Sequence, residues 1–519
     1  MATVSLGSFA NASEAREEMT RLLSKDSWQC NVSKINAYGI GLFQRDVTDG
    51  KFYLVTSVPL VEPNYIKTIL NDMGDSASTS MSGISSLILK EIERACQYVT
   101  SNMGHDIEII LHTYGSHAIG TSLPGISDID AVIDLKSSLP SADIVLKSQN
   151  NDSFLKKVAS RLSFLHKNSR IRIRVSNAGD RPLYILTVKL AHQYPSMDLM
   201  VCKYDSVDKI IDKDDNDAMN VIKDSEAILS SIHSYQHMTS MNTNQAICGA
   251  LRVIKLWAFQ RQVYGTRTGF LGGGAWAILL LWLLRKRSKE ELSILFSGDT
   301  VASVSRNIVL YFFQNIYSNW ENENVVTLTG YDINELTVIE QARELVSIRS
   351  SMAVIAPISG GNFGRSSTRS TTLTTKAELL RVKQLLDGKT DFDDSLLEKY
   401  QMYSGLLLIL EVEILSGSHV PRPSEVKALG ATLILRLIVA LEKVIDPNII
   451  RPTTHVVRKR ASFVFLIGVQ DSSTITLSLM TSFIAQQSRM VKDEVNALMT
   501  DAEVSLSSST VEDYKDQPQ

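Results

Sequence analysis

Between Leu111 and Leu135 the chain reads LHTYGSHAIGTSLPGISDIDAVIDL, and this stretch restricts the fold more than any other. A Gly-Ser pair, Gly115 and Ser116, is followed by eleven residues and then by Asp128-Ile129-Asp130 inside an apolar run. Side chains two apart on a strand share a face, so Asp128 and Asp130 point one way while Ile129 and Ala131 point into a core. Two carboxylates this close repel unless a cation neutralises them, and Mg2+ does so while also holding substrate phosphates. Gly115 lets the backbone approach a ligand, and a short turn with free N–H groups and the Ser116 hydroxyl can hold a phosphate. The pattern reads as a site for phosphoryl or nucleotidyl transfer. A strand ended by a turn with two solvated acids is the plainer alternative.

A length of 519 residues leaves room for roughly three domains. A net charge of −3 gives no global signal for nucleic acid, so any such contact must come from a local basic patch. Cys30, Cys96, Cys202 and Cys248 form no Cys-x-x-Cys pair, which argues against zinc and against a disulfide framework. The start lacks the order of a secretory signal. The uncharged run Thr268–Leu284 is seventeen residues long, short of the ~20 needed to span a bilayer, and reads as a buried helix.

Residues 1–58 combine a helical start near Glu14–Leu23 with a strand at 52–58. Apolar residues at Leu87, Ile88, Ile92, Ala95 and Val99 predict a helix feeding the strand IEIILHTYG. A helix over 151–166 precedes strands at 170–175 and 183–190. Next comes PSMDLMVCKY, where Asp198 sits among apolar residues. A carboxylate there is costly to bury unless paired or metal-bound, which makes Asp198 a candidate third ligand beside Asp128 and Asp130. The middle third is helical, and the Gly/Ser/Thr-rich stretch 351–375 reads as a long loop at a domain boundary. Beyond it, helical spacing over Val426–Val444 and two strand-like runs, SFVFLIGVQ and STITLSLM, predict a small α+β sandwich. Arg451, His455, Arg458, Lys459 and Arg460 form the densest basic run of that region and are candidates for phosphate-backbone contact.

YGSHAIGTSLPGISDIDAV, then MDLMV, then LRVIKLWAFQRQVYGTRTGFLGGGAWAILL together resemble the nucleotidyltransferases of the DNA polymerase beta superfamily, and within them the eukaryotic-type poly(A) polymerases. The Gly-Ser and Asp-x-Asp motif marks only the superfamily. IKLWA, a Tyr nine residues after its Lys, and GFLGG with a Trp following are more specific. MAVIAPISGGNFGRSST and the helix ending LEKV before FVFLIGV extend the resemblance over about residues 63–490.

The resemblance implies an α+β multidomain chain. Residues 1–62 would be an N-terminal extension, 63–215 a polymerase-beta-like palm and 216–355 a helical nucleotide-binding middle domain. A crossing loop over 356–375 would lead to an RRM-like (ferredoxin-like) RNA-binding domain over 376–500 and a tail over 501–519. It implies template-independent transfer of AMP from ATP to an RNA 3′ end by two metal ions, Mg2+ or Mn2+, held by Asp128, Asp130 and Asp198. Gly115 and Ser116 match the phosphate-holding pair. Lys255 and Tyr264 match nucleotide contacts, and Gly273 and Gly274 match the approach to adenine. ATP is expected between the first two domains.

Three departures touch base choice. Phe259 stands where the family has a second lysine, leaving Arg261 as a substitute contact; Gly274 replaces a valine; and an asparagine expected near His233 is missing. A terminal uridylyltransferase or oligoadenylate synthetase is therefore an alternative, and a catalytically inactive RNA-binding or processivity subunit is another of a different class. The N-terminal extension is a candidate for homodimerisation or for binding a processivity partner, and no membrane role is expected. Resemblance points to the nucleus, while a cytoplasmic enzyme, as a virus replicating there could encode, fits the sequence equally.

Overall fold

The computed structural model describes residues 2–9, 40–45, 52–58, 77–102, 107–123, 127–137, 147, 151–167, 169–177, 182–190, 195–204, 209–210, 213–238, 242–323, 325–328, 353–387, 396, 408–415, 433–458, 462–469, 477–498 and 503–510. The expected helix near Glu14–Leu23 lies outside them. The chain divides into two compact units, residues 1–68 with 74–222, and residues 69–73 with 223–519.

In the first unit, strands β1 (Ala2–Phe9), β2 (Ile40–Arg45) and β3 (Phe52–Val58) form an antiparallel sheet in the order β1-β3-β2. A second sheet carries the candidate chemistry. It consists of β4 (Ile107–Tyr114), β5 (Ile129–Ser137), β6 (Arg170–Asn177), β7 (Pro182–Lys189) and β8 (Met197–Tyr204), in the order β4-β5-β8-β7-β6. Only the central β5–β8 pair is parallel. One face, built from Ile129, Ala131, Ile133, Leu135, Met197, Leu199 and Val201, packs under helices α1 (Ala77–Ser101) and α3 (Asn151–Leu165). Between those helices in sequence lies the single turn α2 (Gly115–Ala118). The other face buries Val132, Met200 and Cys202 against Ala218 and Ile222 of α4 (Lys213–His233). Central strands covered on both faces read as near-continuous apolar runs, which is why the aspartates in them stand out.

The second unit is built on α5 (Thr243–Gln260), α6 (Gly273–Arg285), α7 (Lys289–Leu295) and α8 (Val301–Asn322). Asn242 caps α5 by accepting from Gln245 N, and capping boxes open α7 at Ser288 and α8 at Thr300. Ala275 through Leu284 of α6 are all buried, and no described helix is long and apolar enough to cross a membrane. Trp257, Trp276, Phe312 and Phe313 join α5, α6 and α8 by edge-to-face contacts with centroids 4.9–6.4 Å apart.

The stretch 351–375 is not all loop. Strand β10 (Ala353–Ile355) pairs in parallel with β9 (Val325–Thr327), and α9 (Arg369–Asp387) begins inside it. Asp224 of α4 accepts from Ile358 N, Ser359 N and Ser359 Oγ, and Asn362 Oδ1 accepts from Val354 N and Gly364 N. Paired backbone and side-chain acceptors thus order a segment that composition alone marks as irregular.

Strands β11 (Leu408–Leu415), β12 (Ile450–Arg458), β13 (Ser462–Val469) and β14 (Glu503–Thr510) form an antiparallel sheet ordered β12-β13-β11-β14. Helical residues 433–441 fall between β11 and β12, and α10 (Leu477–Leu498) falls between β13 and β14. Three sequence expectations change here. Leu477–Met480, read as the end of a strand, starts a helix; the expected tail contributes β14; and the central strand β11 escaped notice although LILEVEIL alternates.

A buried carboxylate ties these parts of the second unit together. Glu378 of α9 accepts from Arg261 Nε at 2.8 Å and Arg381 Nε at 3.1 Å, and is hydrogen-bonded to Arg451 of β12. Burial acts to raise its pKa, but the hydrogen bond from Arg261 and the charges of Arg261, Arg451 and Arg381 outweigh it and hold the carboxyl below its ordinary range. Arg261, expected as a substitute phosphate contact, and Arg451, expected as a surface RNA contact, both bond Glu378 in the structure. Because the folded pKa is depressed, the stabilisation is present above the ordinary carboxylate pKa of about 4.3. It is lost as pH falls through the lower folded value. Glu378→Gln should destabilise the second unit by roughly 3 kcal/mol and weaken its acid sensitivity. Urea unfolding as a function of pH checks this, since four of the five tryptophans lie in that unit.

Candidate active site

Asp130 of β5 and Asp198 of β8 are register partners across the parallel pair. Both belong to the face that carries Val132 and Met200, opposite the α1–α3 face. Each is half-buried. Thr187 of β7, itself opposite Asp198, donates its hydroxyl to Asp198 Oδ1 at 2.7 Å and fixes that carboxylate. Asp128, just before β5, is exposed and accepts from the Ser196 hydroxyl, while Ile129 N donates to Ser196 O at 2.9 Å. Thr187 and Ser196 carry no motif, and only strand pairing brings them to these carboxylates.

The Gly-Ser turn joins the same place. Tyr114, the last residue of β4, is in register with Asp130, and Gly115 follows with φ +65°, a left-handed conformation that suits glycine. A Cβ on Gly115 would lie 2.9 Å from Asp130 Oδ2, so a side chain there would press on the carboxylate. Ser116 Oγ lies 3.4 Å from Ser122 Oγ, and Thr121 N donates to Ser116 O at 2.8 Å. Burial lowers the pKa of His117, next in the turn.

Among the described residues, no three His, Cys, Asp or Glu side chains sit close enough together to hold a metal ion by themselves. The donor set still suits a hard cation. Mg2+ usually takes one or two carboxylates and completes its six oxygens with water and substrate phosphate. Adjacent Asp130 and Asp198 match that demand, with Asp128 drawn aside by Ser196. Further along the same face, His112 Nε2 lies 2.9 Å from Asp134 Oδ2. Burial pushes Asp134 up to about 6, with His112 pulling the other way.

In the second unit, Lys255, Tyr264 and Gly273 converge. Lys255 of α5 is 1% exposed. A Cβ on Gly273 would meet Tyr264 Oη at 3.0 Å and Lys255 Nζ at 3.3 Å. The loop between α5 and α6 turns through Gly265 (φ +118°) and Gly269 (φ +83°), and Gly265 N donates to Leu271 O at 3.1 Å. At Gly274 the Phe363 ring lies where a Cβ would be, at 3.1 Å. Arg458 lies in β12, and its side chain, like Lys459 and Arg460, is outside the described residues.

The poly(A) polymerase central-domain family model matches residues 246–285. Poly(A) polymerase PAPalpha of Candida albicans is 27% identical over 256 residues, 46% of this chain and 38% of that protein. Poly(A) polymerase pla1 of Schizosaccharomyces pombe is 25% identical, covering 38% of this chain and 32% of its own. Nuclear poly(A) polymerase 4 of Arabidopsis thaliana is also 25% identical, covering 46% and 28%. The matches thus span about a third of these relatives' lengths. A solved cytoplasmic RNA terminal U-transferase overlays with a TM-score of 0.45 at 15% identity, covering 66% of this chain and 99% of that one. By its central-domain match and these sequence relatives, the chain is a homologue of the poly(A) polymerase-type nucleotidyltransferases.

Proposed function

We propose that this chain extends RNA 3′ ends without a template, adding AMP from ATP and releasing pyrophosphate. The observation that carries the reading is the register pairing of Asp130 with Asp198 on one sheet face, with Gly115 against Asp130. Two like charges placed side by side on central strands have a physical use as ligands for divalent cations.

In this reading Asp128, Asp130 and Asp198 hold two Mg2+ or Mn2+ ions, with Asp128 leaving the Ser196 hydroxyl to do so. Bound there, the ions supply activation of the 3′-hydroxyl and neutralisation of charge on the triphosphate and leaving pyrophosphate. Thr187 keeps Asp198 aimed. Ser116 and the backbone after Gly115 hold phosphate oxygens. Lys255 places a positive charge, and Tyr264 a hydroxyl, beside the Gly273 backbone, a set suited to a nucleotide's phosphate and sugar. With Arg261 committed to Glu378, Lys255 supplies the cation of this cluster.

The β-α-β-β-α-β succession from Leu408 to Thr510 and the strand order β12-β13-β11-β14 support an RRM-like reading of the C-terminal region. Arg458, Lys459 and Arg460 remain its candidate RNA contacts.

Asp130→Asn and Asp198→Asn should each lower 3′-extension on the order of a thousandfold with the fold retained. Thr187→Val should cost roughly 10- to 100-fold and raise the Mg2+ concentration needed for half-maximal rate. Gly273→Ala should raise KM for nucleotide more than it lowers kcat. Incubating the purified chain with an RNA primer and each nucleoside triphosphate separately tests base and activity together. ATP should be incorporated in preference. Preference for UTP would replace adenylyl with uridylyl transfer, and rates equal to those of Asp130→Asn would mark an inactive subunit.

A further inference from the structure

Lys255, Tyr264 and the Gly273 backbone address the phosphate and sugar of a nucleotide, and none of them offers a surface to its base. The next residue along α6 does. Around the position of a Cβ on Gly274 lie Phe363 Cε2, Cδ2 and Cζ, at 3.1, 3.4 and 3.6 Å. Gly273 and Gly274 are consecutive, their Cα atoms about 3.8 Å apart, so the ring and the Lys255–Tyr264 cluster stand within the span of one nucleotide. No side chain caps α6 at Gly272, and the N–H groups of its first turn add to the attraction of Lys255 for phosphate.

Phe363 is not spent on a core. It is half-buried, and it stands outside the edge-to-face cluster of Trp257, Trp276, Phe312 and Phe313, although Trp276 lies just beyond Gly274 in α6. Among the described residues no other ring and no cation stacks on it. Its backbone is braced instead. Phe363 N donates to Val354 O at 2.8 Å, Asn362 Oδ1 accepts from Val354 N and Gly364 N, and Asp224 accepts from Ile358 N and Ser359 N. Beyond the ring the chain stays against the α5–α6 loop, where a Cβ on Gly269 would meet Ser366 O and Thr371 Cγ2, both at 3.2 Å. An aromatic ring fixed by its backbone, with part of its surface open, loses little freedom when a flat ligand covers it.

We infer that the Phe363 ring, backed by Gly274, is the platform on which the base of the bound nucleoside triphosphate stacks. The inference rests on the nucleotide site proposed at Lys255, Tyr264 and Gly273. A cation and a hydroxyl on one side with an aromatic surface on the other match the two ends of a nucleotide, whose phosphates need the first and whose base needs the second. An aromatic ring recognises the π-face that every base carries, so Phe363 supplies affinity for a nucleobase and leaves the identity of that base to other groups. The phosphates by themselves gain nothing from it.

Equilibrium dialysis of the full chain with Mg2+ tests this, using ATP, UTP and inorganic tripolyphosphate, which has the phosphates and no base. Phe363→Leu keeps an apolar side chain against Gly274 and removes the ring. It should weaken ATP and UTP about tenfold each while leaving tripolyphosphate affinity and circular dichroism unchanged. Phe363→Tyr should restore nucleotide binding to within about twofold. In primer extension Phe363→Leu should raise KM for nucleotide with little change in kcat, because a stack made equally in ground and transition states is uniform binding. ATP and UTP affinities in Phe363→Leu equal to those of the parent chain would overturn the inference. So would an equal loss of tripolyphosphate, the mark of a ring that only shapes the phosphate contacts, or a Phe363→Tyr variant as weak as Phe363→Leu. A parent chain that binds no nucleoside triphosphate overturns the nucleotide reading together with this one. Binding that follows the expected pattern without any RNA extension would overturn the transfer reading alone.

Discussion

The parallel pairing of β5 with β8 is the constraint on which the candidate chemistry depends. It sets Asp130 directly beside Asp198, and two half-buried carboxylates on neighbouring central strands repel each other. The surroundings manage that repulsion without removing it. Thr187 donates to one carboxylate, the glycine conformation at Gly115 leaves space beside the other, and Ser196 engages Asp128.

The same sheet separates two tasks by the period of a strand. Ile129, Ala131 and Ile133 alternate with Asp130 and Val132, so one face packs under α1 and α3 while the other carries Asp130 and Asp198 beside its contacts with α4. The second unit divides its charged residues in a comparable way. Arg261 and Arg451 converge on Glu378 and hold α5, α9 and β12 in place. Lys255, six positions before Arg261, instead meets Tyr264 at Gly273. Cations of equal formal charge thus have different roles because one set is matched by a buried carboxylate and the other reaches a backbone that lacks a Cβ.

Much of this was legible in the chain. Periodicity located the helix over 151–166 and the strands at 52–58, 170–175 and 183–190, and the uncharged run ending at Leu284 appears as the buried helix α6. Other segments misled for physical reasons. STITLSLM is rich in β-branched and aliphatic residues, yet its last four residues follow the helical packing of α10. The Gly- and Ser-rich 351–375 stretch looked like a loop because composition does not show Asp224 and Asn362 supplying acceptors to its backbone. Nor does the glycine run show that the Phe363 ring packs where Gly274 lacks a Cβ.

By itself the sequence determined local conformation and chemical inventory: a Gly-Ser turn, alternating strands that place Asp128 and Asp130 on one face, a third aspartate in an apolar run, and a glycine-rich helix start. These follow from backbone sterics and the two-residue strand period, which act over a few neighbours. Only the tertiary structure decided which distant residues share a location. It paired Asp198 with Asp130 and gave it Thr187, brought Lys255 and Tyr264 to Gly273, and set Arg261 and Arg451 on Glu378. Sheet register and charge burial are settled by packing across the whole unit, so no local pattern encodes them.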